Sequence, residues 1–257
     1  MNKVKEPIAP KMDKRRLNSD TDYMNENQYT LNELHIRLMT GDEHARFYTC
    51  QDILELIRNC TDSQLKLQLQ SLVLPFLVDL QLYEDAIHCI ESLLNQGEYR
   101  QQLSALFYKS KMCQDRGNFD ESILALEQGM LFAKECDDKA AISQGYLQIA
   151  KNHMHKQSWD KALDTITTAS IYAEEVSDYY LVAIVKYYTG LILYHLGHKE
   201  LGMEKLRESS DLAYDHHSAN IIMHTEAVRA LYMLRNGKPD VAEEILTTWF
   251  NQFNAFL

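Results

Sequence analysis

The feature that most constrains this 257-residue chain is a register that returns every 40 residues. Gly117, Gln157, Gly197 and Gly237 stand at three successive intervals of 40, and other columns keep the same step. Ser110, Ala150, Gly190 and Ala230 form one column of small residues, and Ser122, Ala162, Gly202 and Ala242 a second. Leu126, Ile166, Leu206 and Leu246 form an aliphatic column; Ala133, Ala173 and Ala213 form an alanine column over three repeats. The template continues upstream with a step of 36, through Gln81, Tyr83, Ala86 and Ile90, and again through Phe47, Cys50 and Leu54. A period of this size marks a stacked supersecondary unit, each copy burying its apolar face on its neighbours.

The unit reads as two helices. Only 9 glycines and 4 prolines occur in the chain, too few turn formers for a sheet with many tight turns. In the third repeat, residues 142–155 are predicted as a first helix, KQSW as the turn and 160–175 as a second helix. A small residue on each helix lets the two backbones approach closely. The aliphatic residue four places after the second small one lies on the same helical face. Glycine at 117, 197 and 237 suits a left-handed helix end. The aromatic after the turn, Tyr83, Phe119 or Trp159, would plug the end of the pair.

The spacing S110…G117-N-F119…S122…L126, matched by A150…W159…A162…I166, resembles the tetratricopeptide repeat (TPR). The resemblance covers residues 67–250, and weakly 30–66. It implies an all-α fold, a right-handed superhelix of about five to six helix–turn–helix repeats. The sequence departs from the family in its 40-residue unit, in lacking the terminal proline, and in Lys199 and Pro239 at the aromatic position. The longer unit is similar to that of kinesin light chains, Rap-type peptide sensors and the sensor domain of the maltose-regulon activator. Domain organisation follows: an N-terminal arm over 1–28, a degenerate first repeat over 29–66, the solenoid over 67–250 and an apolar tail or cap over 251–257. The arm's basic cluster, Lys11, Lys14, Arg15 and Arg16, reads as a solubilising tail or a contact for an acidic partner.

In such a solenoid the first helices line the concave face, and the resemblance implies that this face holds a peptide or a partner segment. Four ladders are the candidates. They run Ser71, Phe107, Leu147, Tyr187, Ala227; then Pro75, Lys111, Lys151, Leu191, Leu231; then Val78, Gln114, Met154, Tyr194, Leu234; and last Asp79, Asp115, His155, His195, Arg235. Lys111 and Lys151 on neighbouring repeats could hold a carboxylate, with solvated charge as the alternative. Tyr187, Leu191, Tyr194 and Leu231 would form an aromatic, apolar stretch, where most binding energy of a captured peptide would reside. The alternative for the leucines is packing between adjacent helices. The lysines lack the Asn partners of the chaperone-binding carboxylate clamp.

Other chemistries find little in the sequence. The net charge of −11 argues against a generic nucleic-acid or anionic-membrane surface. No phosphate loop, nucleophile elbow or kinase signature occurs, so no enzyme and no cofactor are expected. Glu121, Glu127 and Asp164 are placed on outer helix faces. None of the 10 histidines makes the i, i+4 histidine pair of a helical zinc site with an accompanying acid, so no metal site is expected. His155 and His195 could face one another across repeats, roughly 10 Å between backbones, as a peptide-contacting or pH-sensitive pair. Five cysteines without CxxC spacing read as buried, reduced thiols of a cytoplasmic protein. No run of 18 apolar residues occurs, and the N-terminus has no apolar core of a secretory signal.

The stretch ILTTWFNQFNAFL breaks the rule that a solenoid's last helix is polar outside. Trp249, Phe250 and Phe253 are expected either to cap the last repeat or to dock another chain, in which case a homodimer through this helix follows. The functional expectation is a non-catalytic scaffold that binds a peptide or protein segment in the groove. The alternatives are a peptide- or ligand-responsive regulatory sensor acting in trans, and a secretion-type chaperone.

Overall fold

The computed structural model describes the backbone of residues 20–256 and the side chains of residues 30–251. Twelve helices and no strand occur among them. The part of the N-terminal arm before residue 20 lies outside the described residues; residues 20–28 begin the first helix, α1 (Asp20–Thr40).

Two units divide the chain, Met1–Phe76 and Leu77–Leu257. In the first, α1 packs on α2 (Glu43–Asn59). Leu34 and Leu38 on α1 and Cys50, Ile53, Leu54 and Ile57 on α2 are buried at spacings of three and four. Asp42 caps α2 by accepting from the Ala45 amide at 2.8 Å, and Arg46 Nε donates to the Leu38 carbonyl at 3.0 Å, satisfying the end of α1. The boundary falls inside α3 (Ser63–Asp79), one residue after Pro75, whose missing N–H breaks the helical hydrogen-bond ladder.

The second unit contains α4 (Tyr83–Gln96), α5 (Tyr99–Asp115), α6 (Phe119–Glu135), α7 (Lys139–His155), α8 (Trp159–Val176), α9 (Tyr179–His195), α10 (Lys199–Asp215), α11 (Ala219–Arg235) and α12 (Pro239–Phe256). From α5 onward every helix starts 20 residues after the last, so the 40-residue register is a 20-residue one taken twice. The cause is in the turns. Gly117, Asp137, Gln157, Ser177, Gly197, His217 and Gly237, again 20 apart, all have positive φ, between 51° and 92°. At six of the seven, the amide after the left-handed residue reaches back to a carbonyl five places earlier, as Asn118 does to Cys113 at 2.8 Å and Ser218 to Ala213 at 2.8 Å. That is the helix-ending motif in which a left-handed residue closes the last turn. Glycine takes three of these positions without strain, whereas Asp137, Gln157, Ser177 and His217 hold it at roughly 1 kcal/mol each or more. The third-repeat helices extend past the predicted bounds, to Lys139 and Trp159 at their starts, because the turn needs only three residues.

The small columns are the helix crossings. Ser110 and Ser122 meet through their hydroxyls at 2.7 Å, and a Cβ placed on Gly190 or Gly202 would lie 2.8 Å from the other's carbonyl oxygen. Leu126, Ile166 and Leu206 are fully buried; Leu246 in the same column is 41% exposed, since no helix follows α12 among the described residues to cover it. First helices also touch their counterparts in the next repeat, α7 with α9 and α9 with α11, so they form one layer and the second helices another. The chain has the fold of a tetratricopeptide-type helical repeat. No helix of the described residues is long and apolar enough to cross a membrane.

Cys50, Cys89 and Cys113 are buried as expected, but Cys60 is half-buried and Cys136 exposed. Burial pushes the Cys89 thiol up to about 12, with Asp85 adding to it, and the Cys50 thiol to about 11. Both stay protonated and act as small apolar side chains.

Candidate functional site

The layer of first helices carries two adjoining cavities. One, of about 640 Å³, lies across α7, α9 and α11, between Gln144, Leu147 and Gln148, then Tyr180, Ile184, Tyr187 and Tyr188, then Asn220, Ile221 and His224. The other, of about 550 Å³, lies across α5 and α7, with Arg100, Ser104, Phe107, Tyr108, Lys111, Gln114 and Asp115 on the α5 side. Gln144, Gln148 and Lys151 line both. Their spacing of four and three puts them on one face of α7, so the two cavities are parts of one groove.

Of the residues singled out from the sequence, Phe107, Lys111, Gln114 and Asp115 line the second cavity, Leu147 and Tyr187 the first, and Lys151 both. The remainder line neither. Tyr194 is buried, its ring stacked on Tyr232 at 3.5 Å and its hydroxyl donating to Asn236 Oδ1 at 3.2 Å. Leu191 packs against the cluster that holds Tyr194, Leu206 and Tyr232. Met154 packs against the core of Ala150, Ala162 and Ile166. Leu231 and Arg235 are exposed outside both cavities.

His155 and His195 do not pair with each other. His155 stacks on Phe119 at 5.2 Å and His195 on Trp159 at 4.3 Å, the planes parallel to within 2°. Phe119 and Trp159 therefore close their repeats by covering the histidine that ends the next first helix, while Tyr83 lies under the Arg116 guanidinium, 4.5 Å from the ring centre. Where the aromatic gives way to Lys199, the ammonium instead donates to Asn236 Oδ1 at 3.1 Å.

The missed lining residues sit earlier in the first helices. Ser104, Gln144, Ile184 and His224 form one 40-residue row, and Tyr108, Gln148 and Tyr188 another, whose next member, Val228, packs against the Tyr194 cluster instead. Both were available from the register. Nearer the turn the same face is partly closed by packing, which takes Met154 and Tyr194 into the core.

Charge in the groove is uneven. Lys111 is ion-paired with Asp79; burial draws its pKa down, but the Asp79 carboxylate more than offsets this and leaves it raised. Lys151 has no carboxylate partner among the described residues. Burial lowers its pKa, the nearby Lys111 charge lowers it further, and its ammonium stands 5.4 Å from the centre of the Tyr188 ring. Burial raises the phenols of Tyr187 and Tyr188, keeping both as hydroxyl donors at neutral pH. Gln144 and Gln148 make no hydrogen bond with any described residue. No group of three His, Cys, Asp or Glu among the described residues is placed to hold a metal.

The apolar C-terminal helix divides its aromatics. Trp249 packs against the cluster of Ala183, Ala213, Ile221 and Ile222, while Phe250, 57% exposed, points away with Val241 and Leu246. The Phe253 side chain lies outside the described residues.

The histidines set a pH dependence. Burial, followed by Lys161 and Lys156, lowers the pKa of His153; burial, followed by the charge of Arg235, lowers that of His195. The unfolded chain therefore takes up these protons first, near pH 6.5, and stability falls as pH drops through that value. The thermal midpoint is expected to decline between pH 7 and pH 5. His195→Phe, which keeps a ring against Trp159, is expected to make the decline shallower; an unchanged slope in that variant would contradict the assignment.

No protein-family model matches the sequence, and no curated protein matches it. Solved structures do match. The Signal Transduction ATPase with Numerous Domains (STAND) protein with a tetratricopeptide repeat sensor, from Pyrococcus horikoshii, superposes with a TM-score of 0.71 at 12% identity. It is matched over 89% of this chain and 36% of its own length. Aspartyl phosphate phosphatase F from Bacillus subtilis superposes with a TM-score of 0.65 at 13% identity, over 89% of this chain and 60% of its own. The chain thus spans little more than a third of the first protein and three fifths of the second, and at such identities the likeness is one of fold.

Proposed function

We propose that this chain is a non-catalytic regulatory module that captures an extended peptide segment in the groove of its first helices. The observation that carries the reading is the continuity of the two cavities through one face of α7, whose Gln144 and Gln148 are uncommitted. Glutamine amides can serve both the donor and the acceptor of a peptide unit, whatever side chain that unit bears. Tyr180, Tyr187 and Tyr188 supply large, rigid anchors of the kind that dominate binding energy. From α5 to α11 the first-helix layer crosses three helix spacings, roughly 30 Å, the reach of about nine extended residues.

A sensor role is supported by the STAND protein, whose tetratricopeptide repeats of the same fold form its sensor. The 40-residue unit, two 20-residue halves with a left-handed residue in each turn, supports placement with the long-repeat subclass. Occupancy of the groove would then be read by a separate partner.

Selection of a random nonapeptide library on the purified chain tests the reading. Enriched peptides are expected to bind the Gln148→Ala, Tyr188→Ala double variant at least about tenfold more weakly, the loss of one good anchor. Failure to enrich any peptide, or equal affinity for the double variant, would sink it.

A further inference from the structure

Lys151 is a groove cation left without a counter-charge among the described residues. It sits where the two cavities join, half-buried, its ammonium opposite the Tyr188 ring and paired with no carboxylate of the described residues. The carboxylate that serves this part of the groove, Asp79, is committed to Lys111. Asp115, Asp138 and Asp178 line the cavities without pairing with Lys151. Acidic residues outnumber basic ones by 37 to 26 in this chain, so a desolvated lysine without a counter-charge is not explained by any scarcity of carboxylates. A second positive charge, on Lys111, stands close enough to repel it. Burial and like charge are both relieved by an anion brought from outside.

We infer that the groove's ligand carries a carboxylate that seats on Lys151, between backbone held by Gln148 and Gln144 and an apolar side chain received beside Ile184 and Tyr187. The inference rests on the peptide-groove reading and specifies which peptides the groove accepts. Gln148 and Gln144 lie three and seven residues before Lys151 on the same face of α7, so a strand crossing α7 meets amide and ammonium together. Ile184 and Tyr187 face them from α9 on the apolar side of the larger cavity. The carboxylate can belong to an acidic side chain or to a free C-terminus; both offer the same two oxygens to an ammonium.

Nonapeptide pools bearing an uncharged fluorophore separate the cases by fluorescence anisotropy. Four pools are compared: free or amidated C-terminus, each with or without one glutamate at every position in turn. Amidated, acid-free peptides are expected to bind at least tenfold more weakly than the best carboxylate-bearing pool. Rescue by glutamate in the amidated pool identifies a side-chain carboxylate, and dependence on the free end identifies the terminus. Lys151→Met is expected to erase the preference and Lys151→Arg to keep it, with both variants retaining the helical circular-dichroism signal. Equal binding of amidated, acid-free peptides, or a preference that survives Lys151→Met, overturns the inference while leaving the groove reading standing. Absence of binding in all four pools overturns both.

Discussion

Gly202→Val is expected to lower the thermal midpoint by about 6–12 °C, for a loss of about 3 kcal/mol. The glycine stands where α9 and α10 cross. A Cβ there would fall 2.8 Å from the Gly190 carbonyl oxygen, 2.9 Å from the Tyr194 nitrogen and 3.2 Å from the Tyr194 Cα. All three are backbone atoms, so no side-chain rotation relieves the clash and the helices themselves must separate. Separation uncovers Leu206, which is fully buried, and disturbs Tyr194 on its stack with Tyr232. Repeat proteins can lose neighbouring units semi-independently, so the loss should first appear as hydrogen-exchange protection falling in α9, α10 and α11. Gly117→Val separates this packing effect from a backbone one. Nothing lies within 4 Å of a Cβ at Gly117, and its φ of 76° costs a side chain only the left-handed penalty, about 1–2 kcal/mol. A Gly202→Val protein no less stable than Gly117→Val would contradict close helix approach as the reason for the small columns.

Arg229→Met is expected to cost about 3 kcal/mol in urea unfolding, through a charge left behind rather than a contact removed. Glu226 is 4% exposed. Its carboxylate accepts from Arg229 Nη1 at 2.8 and 2.9 Å and also from the Ser210 hydroxyl of α10. Without the guanidinium, the carboxylate keeps one neutral partner in a site largely closed to water. The Arg229 side chain is 21% exposed, which places the expected loss at the lower end of the range for buried pairs. The double variant Glu226→Gln, Arg229→Met removes both charges and is expected to regain most of the stability. If the double variant were as unstable as Arg229→Met, the loss would come from the arginine's packing and the charge argument would fail.

The groove was legible in part. Phe107, Lys111, Leu147, Lys151 and Tyr187 line it because the register assigned first helices and their facing correctly. Tyr194 is the instructive miss. It falls in a row with Gln114, which lines a cavity, yet it is buried at the α9–α10 crossing. Gly190 and Gly202 bring those helices closer than serine or alanine allow, and the Tyr194 ring stacks on Tyr232 of the next first helix. The histidine row fails for a related reason: position 155 or 195 has one identity in the sequence, but its neighbour is the aromatic that begins the preceding second helix, 36 residues upstream.

By itself the sequence determined the helical class, the repeat and the small-residue crossings, because these depend on periodicity and on side-chain size, which each residue carries wherever it is placed. It concealed the 20-residue half-step, since Asp137, Ser177 and His217 adopt the left-handed conformation that glycine alone advertises. Only the tertiary structure decided which lysine keeps its charge uncompensated. Lys111 and Lys151 occupy the same column, yet Asp79 reaches one of them and no carboxylate of the described residues reaches the other. That difference is one of distance between side chains on separate helices, and distance is what packing alone supplies.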